Sequence, residues 1–386
     1  MLIYRDIMIK IMLTGGGTGG HLFPLVAVSR KLNEICRAEN LDEPEIHYLG
    51  PRLFLESSLE REKMNFHSSI LMTGKWRRYF SFKNFTDLFK IAGGVIQALW
   101  KVWFIMPDVI FSKGGYGSVA AVLAGWLYRI PIIIHESDSV PGLANRLLAP
   151  FATLLAVSFN EAANHLPKKK TYFTGEATRD LFFEPPEPEK ERAILHLTTK
   201  KPVVLILGGS QGAQKINDII LDILPNLLEA AEVIHQTGDS NYNDVLSESK
   251  VVLEGSTGEQ LISYHPVNFL VEPEFVAAMH SADLIISRSG AGTIFEIAAS
   301  GKAAILIPIT NSPGDHNRRN AYIFADNGRA EVVEEANLTP NLLVSVIRSI
   351  LSNPEKKKAM EEKARKFATP DAARLIAQAL LNLIPR

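Results

Sequence analysis

An eleven-residue pattern of this chain returns once, and the echo restricts the fold more than any other feature. Asp108-Val-Ile-Phe-Ser-Lys-Gly-Gly-Tyr-Gly-Ser118 returns as Asp283-Leu-Ile-Ile-Ser-Arg-Ser-Gly-Ala-Gly-Thr293, 175 residues on and without a gap. Both copies run from an apolar strand pattern into glycines, and a helical stretch and an Ile-rich strand follow each. A second pair echoes the first. Thr14-Gly15-Gly16-Gly17-Thr18-Gly19-Gly20-His21 closes the apolar run Met8 to Leu13, and Leu25, Val28, Leu32 and Ile35 then recur at helical spacing, with Pro24 expected in the first turn. Its counterpart, Val203-Val-Leu-Ile-Leu-Gly-Gly-Ser-Gln-Gly212, precedes a helix carrying Ile216, Ile220, Ile223 and Leu227 on one face. Each half therefore reads as a doubly wound, Rossmann-like α/β domain with two glycine turns at strand C-termini, where such folds bind ligands. Two such domains facing each other make a cleft.

A chain of 386 residues is comfortable for two domains. The join falls near 176–190, where Glu184-Pro-Pro-Glu-Pro-Glu-Lys190 is acidic, Pro-rich and a poor core segment. The expected domains are 1–176 and 177–367, with a helix over about 368–386 packing back on the first through Leu375, Leu380, Leu381 and Leu383. A net charge of −1 gives no global drive toward nucleic acid, and none is expected as a partner. The one cysteine, Cys36, excludes an internal disulfide and suits a reducing compartment. Met1 to Lys10 carries Asp6 and Lys10 and does not read as a signal peptide. Gln97 and Lys101 interrupt the apolar run 91–111, and Arg129 with Pro131 interrupts 117–134, so neither reads as a membrane span. The protein reads as cytosolic, with peripheral membrane contact left open.

Several polar groups lie where a ligand would be met, each beside a purely structural alternative. Strand, glycine turn and helix together aim backbone N–H groups and a helix N-terminus at an anion; a plain tight turn is the alternative. The fingerprint G-x-G-x-x-G is met by Gly15, Gly17 and Gly20, but the second strand ends in Gly50-Pro51-Arg52 without a ribose-binding acid, which disfavours a nicotinamide dehydrogenase. His21 stands at the mouth of the turn, either as a general base for a sugar hydroxyl or as a packed ring. Glu136 and Asp138 follow a buried strand and read as hydroxyl-binding or proton-accepting groups, or as an Asx-type turn. Thr293 and Glu296 have capping-box spacing, so Glu296 reads as a ligand group or as a cap. Asp315-His-Asn-Arg-Arg-Asn320 is a further polar cluster after a strand. Cations and aromatics interleave through Lys75, Trp76, Arg77, Arg78, Phe80 and Phe82. Beyond them one helix shows two apolar faces: Ile91, Val95, Leu99 and Val102 on the first, Ile96, Trp100 and Trp103 on the second. That combination suits an anionic membrane surface; an ordinary loop and a buried helix are the alternative.

Taken in order, Gly16-Gly-Thr-Gly-Gly-His21, Gly114-Gly-Tyr116, His135-Glu136, Gly208-Gly-Ser-Gln-Gly-Ala213, Arg288-Ser-Gly290, Glu296 and Asp315-His316 resemble the GT-B glycosyltransferases. Within that class they resemble the peptidoglycan N-acetylglucosaminyltransferases of family 28, over almost the full length. The resemblance implies inverting transfer of N-acetylglucosamine from UDP-N-acetylglucosamine to an undecaprenyl-linked muramyl-pentapeptide lipid, at the cytoplasmic face of the membrane, against its anionic inner surface. The UDP-sugar is a substrate; no cofactor or required metal is implied. The donor would meet Ser210, Gln211, Arg179, Asp138, Asn145 and Asn317, the turn through Ala291, Gly292, Thr293, Ile294 and Phe295, and Glu296 at the ribose. Thr18, Gly19 and Gly20 would border it. Gly16, Gly17, Gly114, Gly115 and Tyr116 would receive the acceptor's diphosphate, with His21 the first choice for base and Glu136 the second. Three departures bear on sugar specificity: His135-Glu-Ser-Asp138 for the usual His-Glu-Gln-Asn, Asn317 for a glutamine, and Glu176-Ala177 for Asn-Pro. They leave open a related transferase acting on another lipid such as diacylglycerol, or a non-catalytic binding module.

Overall fold

The computed structural model describes residues 8–17, 19–52, 66–73, 82–209, 212–310 and 312–384. Thr18, Ser210, Gln211 and the patch residues Lys75, Trp76, Arg77, Arg78 and Phe80 lie outside the described residues, as does the side chain of Phe82. The chain divides into two compact units, Met1–Arg179 with Thr369–Arg386, and Asp180–Ala368.

The first unit is built on β1 (Lys10–Thr14), β2 (Glu45–Gly50), β3 (Phe66–Ile70), β4 (Val109–Ser112), β5 (Ile132–Glu136), β6 (Leu154–Val157) and β7 (Thr171–Phe173). They form one parallel sheet in the order β3-β2-β1-β4-β5-β6-β7. The central strands are buried along nearly their whole length, as strands covered on both faces must be, which is why they read as unbroken apolar runs. The order reverses direction between β1 and β4. At such a switch point the two flanking loops part and leave a crevice outside the strand ends. The loops there are the two glycine turns, and Lys113 N–H donates to the Thr14 carbonyl at 2.8 Å, tying the ends together.

The helix Gly19–Ala38 follows β1 and buries Leu22, Leu25, Val28, Leu32 and Cys36 against the sheet. It begins early enough that Pro24 falls inside it rather than in its first turn. The missing N–H there removes the bond that the Gly20 carbonyl would accept. The last helix, Ala372–Leu383, packs on Gly19–Ala38 within this unit. Its buried face is Ala373, Ile376, Ala377 and Leu380, and burial of the two larger side chains contributes about 1.5–3 kcal/mol each.

The second unit repeats the plan with β8 (Val203–Leu207), β9 (Glu232–Gln236), β10 (Tyr264–Val267), β11 (Leu284–Ser287), β12 (Ala304–Leu306) and β13 (Ala330–Val332). Their order is β10-β9-β8-β11-β12-β13, all parallel, with the switch between β8 and β11. Helix Gln214–Ala230 buries Ile216, Ile220, Ile223 and Leu227 in one core cluster. The repeated stretch is thus β4 and β11 with the turns after them, each beside the first strand of its own sheet.

Candidate active site

In the first unit the two glycine turns close on one side chain. A Cβ at Gly16 would lie 2.9 Å from Cε1 and Nδ1 of His21, and one at Gly115 would lie 3.1 Å from its Nε2. The imidazole is therefore sandwiched between two backbones that only glycine lets come so near. Gly115 also has φ of 80°, where a side chain would be strained. Burial, then the Lys113 charge, push the His21 pKa down to about 4, against the opposing influence of Glu176. The ring is neutral at physiological pH and half-buried, which is the state in which it can accept a proton.

Below the turns lies a polar network that sequence reasoning did not assemble. Lys113 Nζ meets Glu176 Oε1 at 2.5 Å and His135 Nδ1 at 2.7 Å, and it donates to Ser137 Oγ. Ser158 Oγ donates to Glu176 Oε2 at 2.7 Å. His135 Nε2 is 3.0 Å from the Gly175 carbonyl, so that nitrogen carries the hydrogen and Nδ1 accepts from the lysine. Burial first, then Lys113, lower the His135 pKa to about 4. Burial alone would raise the Glu176 pKa, yet Lys113, His135 and the hydrogen bonds hold it below the usual carboxylate range.

Glu136, the second choice for base, is committed to its own loop. Oε1 accepts from Asp138 N–H at 3.0 Å; Oε2 accepts from Gly142 N–H at 3.0 Å and Asn145 Nδ2 at 2.9 Å. Burial, then the neighbouring Asp138, push its pKa up to about 7. This geometry favours the turn-forming reading. Asn145 Nδ2 also donates to the His135 carbonyl, while its buried Oδ1 has no hydrogen-bond partner and lies against Gly114. Arg179 is buried, its guanidinium carbon 3.7 Å from the centre of the Phe23 ring.

In the second unit the helix Ala291–Ser300 starts at the switch point. Its N-cap is Gly290, no side chain caps it, and the first intrahelical bond runs from Ile294 N–H to the Gly290 carbonyl. The N–H groups of Ala291, Gly292 and Thr293 thus precede the bonded ladder, the arrangement that holds an anion. Thr293 lies within the helix, so the capping-box reading of Thr293 and Glu296 is not realised. Ile294 and Phe295 are core side chains, buried to 0% and 1%, which leaves them only main chain to offer a ligand. Ser289 Oγ donates to the Asn317 carbonyl at 2.8 Å, and Asn317 Oδ1 is buried with no hydrogen-bond partner. Of the 315–320 cluster, Asn317 and Asn320 are buried, whereas Arg318 is exposed and bound to Glu334 at 2.8 Å.

Two doubly wound units, each with glycine turns at its switch point, have the architecture of the GT-B class. Residues 11–157 match the glycosyltransferase family 28 N-terminal domain, and residues 203–376 match the family 28 C-terminal domain. A UDP-N-acetylglucosamine–N-acetylmuramyl-(pentapeptide) pyrophosphoryl-undecaprenol N-acetylglucosamine transferase of Bacillus anthracis is 38% identical over 351 residues, 90% of this chain and 93% of the relative. The transferase of that name from Treponema denticola is 35% identical, with 96% of each chain covered. Among solved structures, Acinetobacter baumannii MurG superposes with a TM-score of 0.68 at 25% identity, covering 97% of this chain and 99% of that one. The chain belongs to glycosyltransferase family 28, with these N-acetylglucosaminyltransferases.

Proposed function

We propose that the protein transfers N-acetylglucosamine from UDP-N-acetylglucosamine to the muramyl 4-hydroxyl of undecaprenyl-diphospho-muramoylpentapeptide, with inversion at the anomeric carbon. What carries this reading is identity of 35–38%, over 90–96% of the chain, to relatives bearing that activity's name. The hydroxyl oxygen attacks the anomeric carbon as its bond to the diphosphate oxygen breaks. UDP leaves with the electron pair, and the hydroxyl proton passes to His21. The place of the His21 ring between the two glycine turns supports that assignment, and the N–H donors held by both Glu136 oxygens make Glu136 the weaker candidate.

The leaving diphosphate gathers charge, and the uncapped N-terminus at Gly290 to Thr293 is a fixed set of dipoles suited to it. Glu296 is assigned to the ribose, Asn317 and Asp138 to the sugar, and Ser210, Gln211 and Arg179 to the rest of the donor. The turns at Gly16–Gly17 and Gly114–Tyr116 are assigned to the acceptor's diphosphate. Membrane contact is assigned to the helix Phe82–Ile105, where Ile96, Trp100, Trp103 and Phe104 are 56–74% exposed. No helix among the described residues is long and apolar enough to cross a membrane.

Purified protein with UDP-N-acetylglucosamine and a short-chain muramyl-pentapeptide lipid should release UDP only when the lipid is present. No acceptor-dependent release would overturn the reading. Release with diacylglycerol in its place would move the acceptor to another lipid.

A further inference from the structure

Lys113 and Glu176 form a charge pair buried to 0% and 1% directly beneath the glycine turns. The three hydrogens of the ammonium are matched by Glu176 Oε1, His135 Nδ1 and Ser137 Oγ. Taking such a pair out of water is seldom a net gain in stability, so its place in the fold points to another use. The Lys113 main chain opens the Gly114–Gly115 turn, and a Cβ at Gly15 would lie 3.2 Å from Lys113 Cβ. The pair is thus anchored to both turns that clamp His21.

We propose that Lys113 and Glu176 act together as a positioning pair, which sets the Lys113–Gly115 turn against His21 and balances the charge that its ring experiences. The proposal rests on the reading of His21 as proton acceptor. Among the described residues, Lys113, from the end of β4, and Glu176, from beyond β7, act on the ring in opposite senses. Ser137 and Glu176 also meet at the single atom Lys113 Nζ.

Lys113→Met, Glu176→Gln and the double variant test the pair, with His21→Gln in parallel, by steady-state kinetics and by NMR titration of the His21 ring. Lys113→Met should move the ring's titration to higher pH and Glu176→Gln to lower pH. Each should lower kcat by up to about 100-fold, the scale of an ångström-level misplacement. The double variant should recover most of kcat and the wild-type titration. Single variants that shift the ring in the same direction or not at all, or a double variant no better than the worse single, overturn the proposal. Should a single variant not fold, Lys113→Arg and Glu176→Asp replace it: lowered kcat at unchanged KM for the UDP-sugar supports positioning, and wild-type kcat overturns it. Wild-type turnover by His21→Gln overturns the proton-acceptor reading instead, whatever the pair does.

Discussion

Lys113 and Arg288 occupy the same place in the two copies of the repeated stretch, and each reaches a glutamate just past the edge strand of its own sheet. The partners are Glu176, beyond β7, and Glu335, beyond β13, both at 2.5 Å. In each unit a cation after the switch-point strand fastens the glycine turn to the far side of the sheet. Arg288 adds a bond from Nη1 to the Ile307 carbonyl at 3.2 Å, and Glu335 Oε2 accepts from Thr310 N–H.

If this fastening supports the anion turn, Arg288→Met should weaken UDP binding by about tenfold, equivalent to about 1.4 kcal/mol. Calorimetric titration with UDP reads this directly. Affinity equal to wild type would remove Arg288 from the site's support.

His21 and its glycine clamp give a second expectation. His21→Ala should lower kcat by about 100-fold or more, the scale of a lost general base. Gly16→Ala forces a Cβ to within 2.9 Å of the ring and should lower kcat while leaving UDP affinity near wild type. Equal loss of both quantities would mean that the turn serves the donor.

Glu136 has its folded-state pKa raised to about 7, burial being the main cause. Between the unfolded value of 4.5 and that point the folded state holds more protons than the unfolded state. This group's contribution to stability therefore falls as pH rises from about 4.5 through 7. Thermal melting from pH 5 to 8 should show a downward slope that Glu136→Gln flattens. An unchanged slope would assign it to other groups.

The exposed aromatic face makes the membrane assignment testable. Changing Trp100, Trp103 and Phe104 to Ser should release the protein from anionic vesicles in a sedimentation assay and leave UDP affinity intact. Those side chains are 63%, 56% and 74% exposed, so folding should tolerate the change. Undiminished sedimentation would leave the face without that role.

The parts of the fold visible in the sequence were those set by local pattern. Strands buried on both faces are unbroken apolar runs, and the repeated stretch marked β4 and β11 because both copies keep strand and turn in one register. The strand, glycine turn and helix around His21 were equally visible, being contiguous in the chain. What stayed hidden depends on chain reversal. Glu176 is 63 positions from Lys113, and nothing local at Glu176-Ala-Thr or Lys113-Gly-Gly signals that they meet. Spacing also misled twice: the S/T-x-x-E pattern at Thr293 lies one turn too late to cap, and Pro24 lies too deep in its helix for a first turn. Glu136 was ambiguous because a carboxylate after a strand serves a ligand or a loop equally well, and only its three N–H partners distinguish the two.

The helix Ala372–Leu383 has a consequence for the order of assembly. It completes the unit begun by Gly19–Ala38, yet it is synthesised only after all of 180–368. The face of Gly19–Ala38 that it covers is bare throughout translation of the intervening domain. The first unit to be made is thus the last to be finished, and a chain cut after 368 should expose an apolar helix face to chaperones and proteases rather than simply lose a tail.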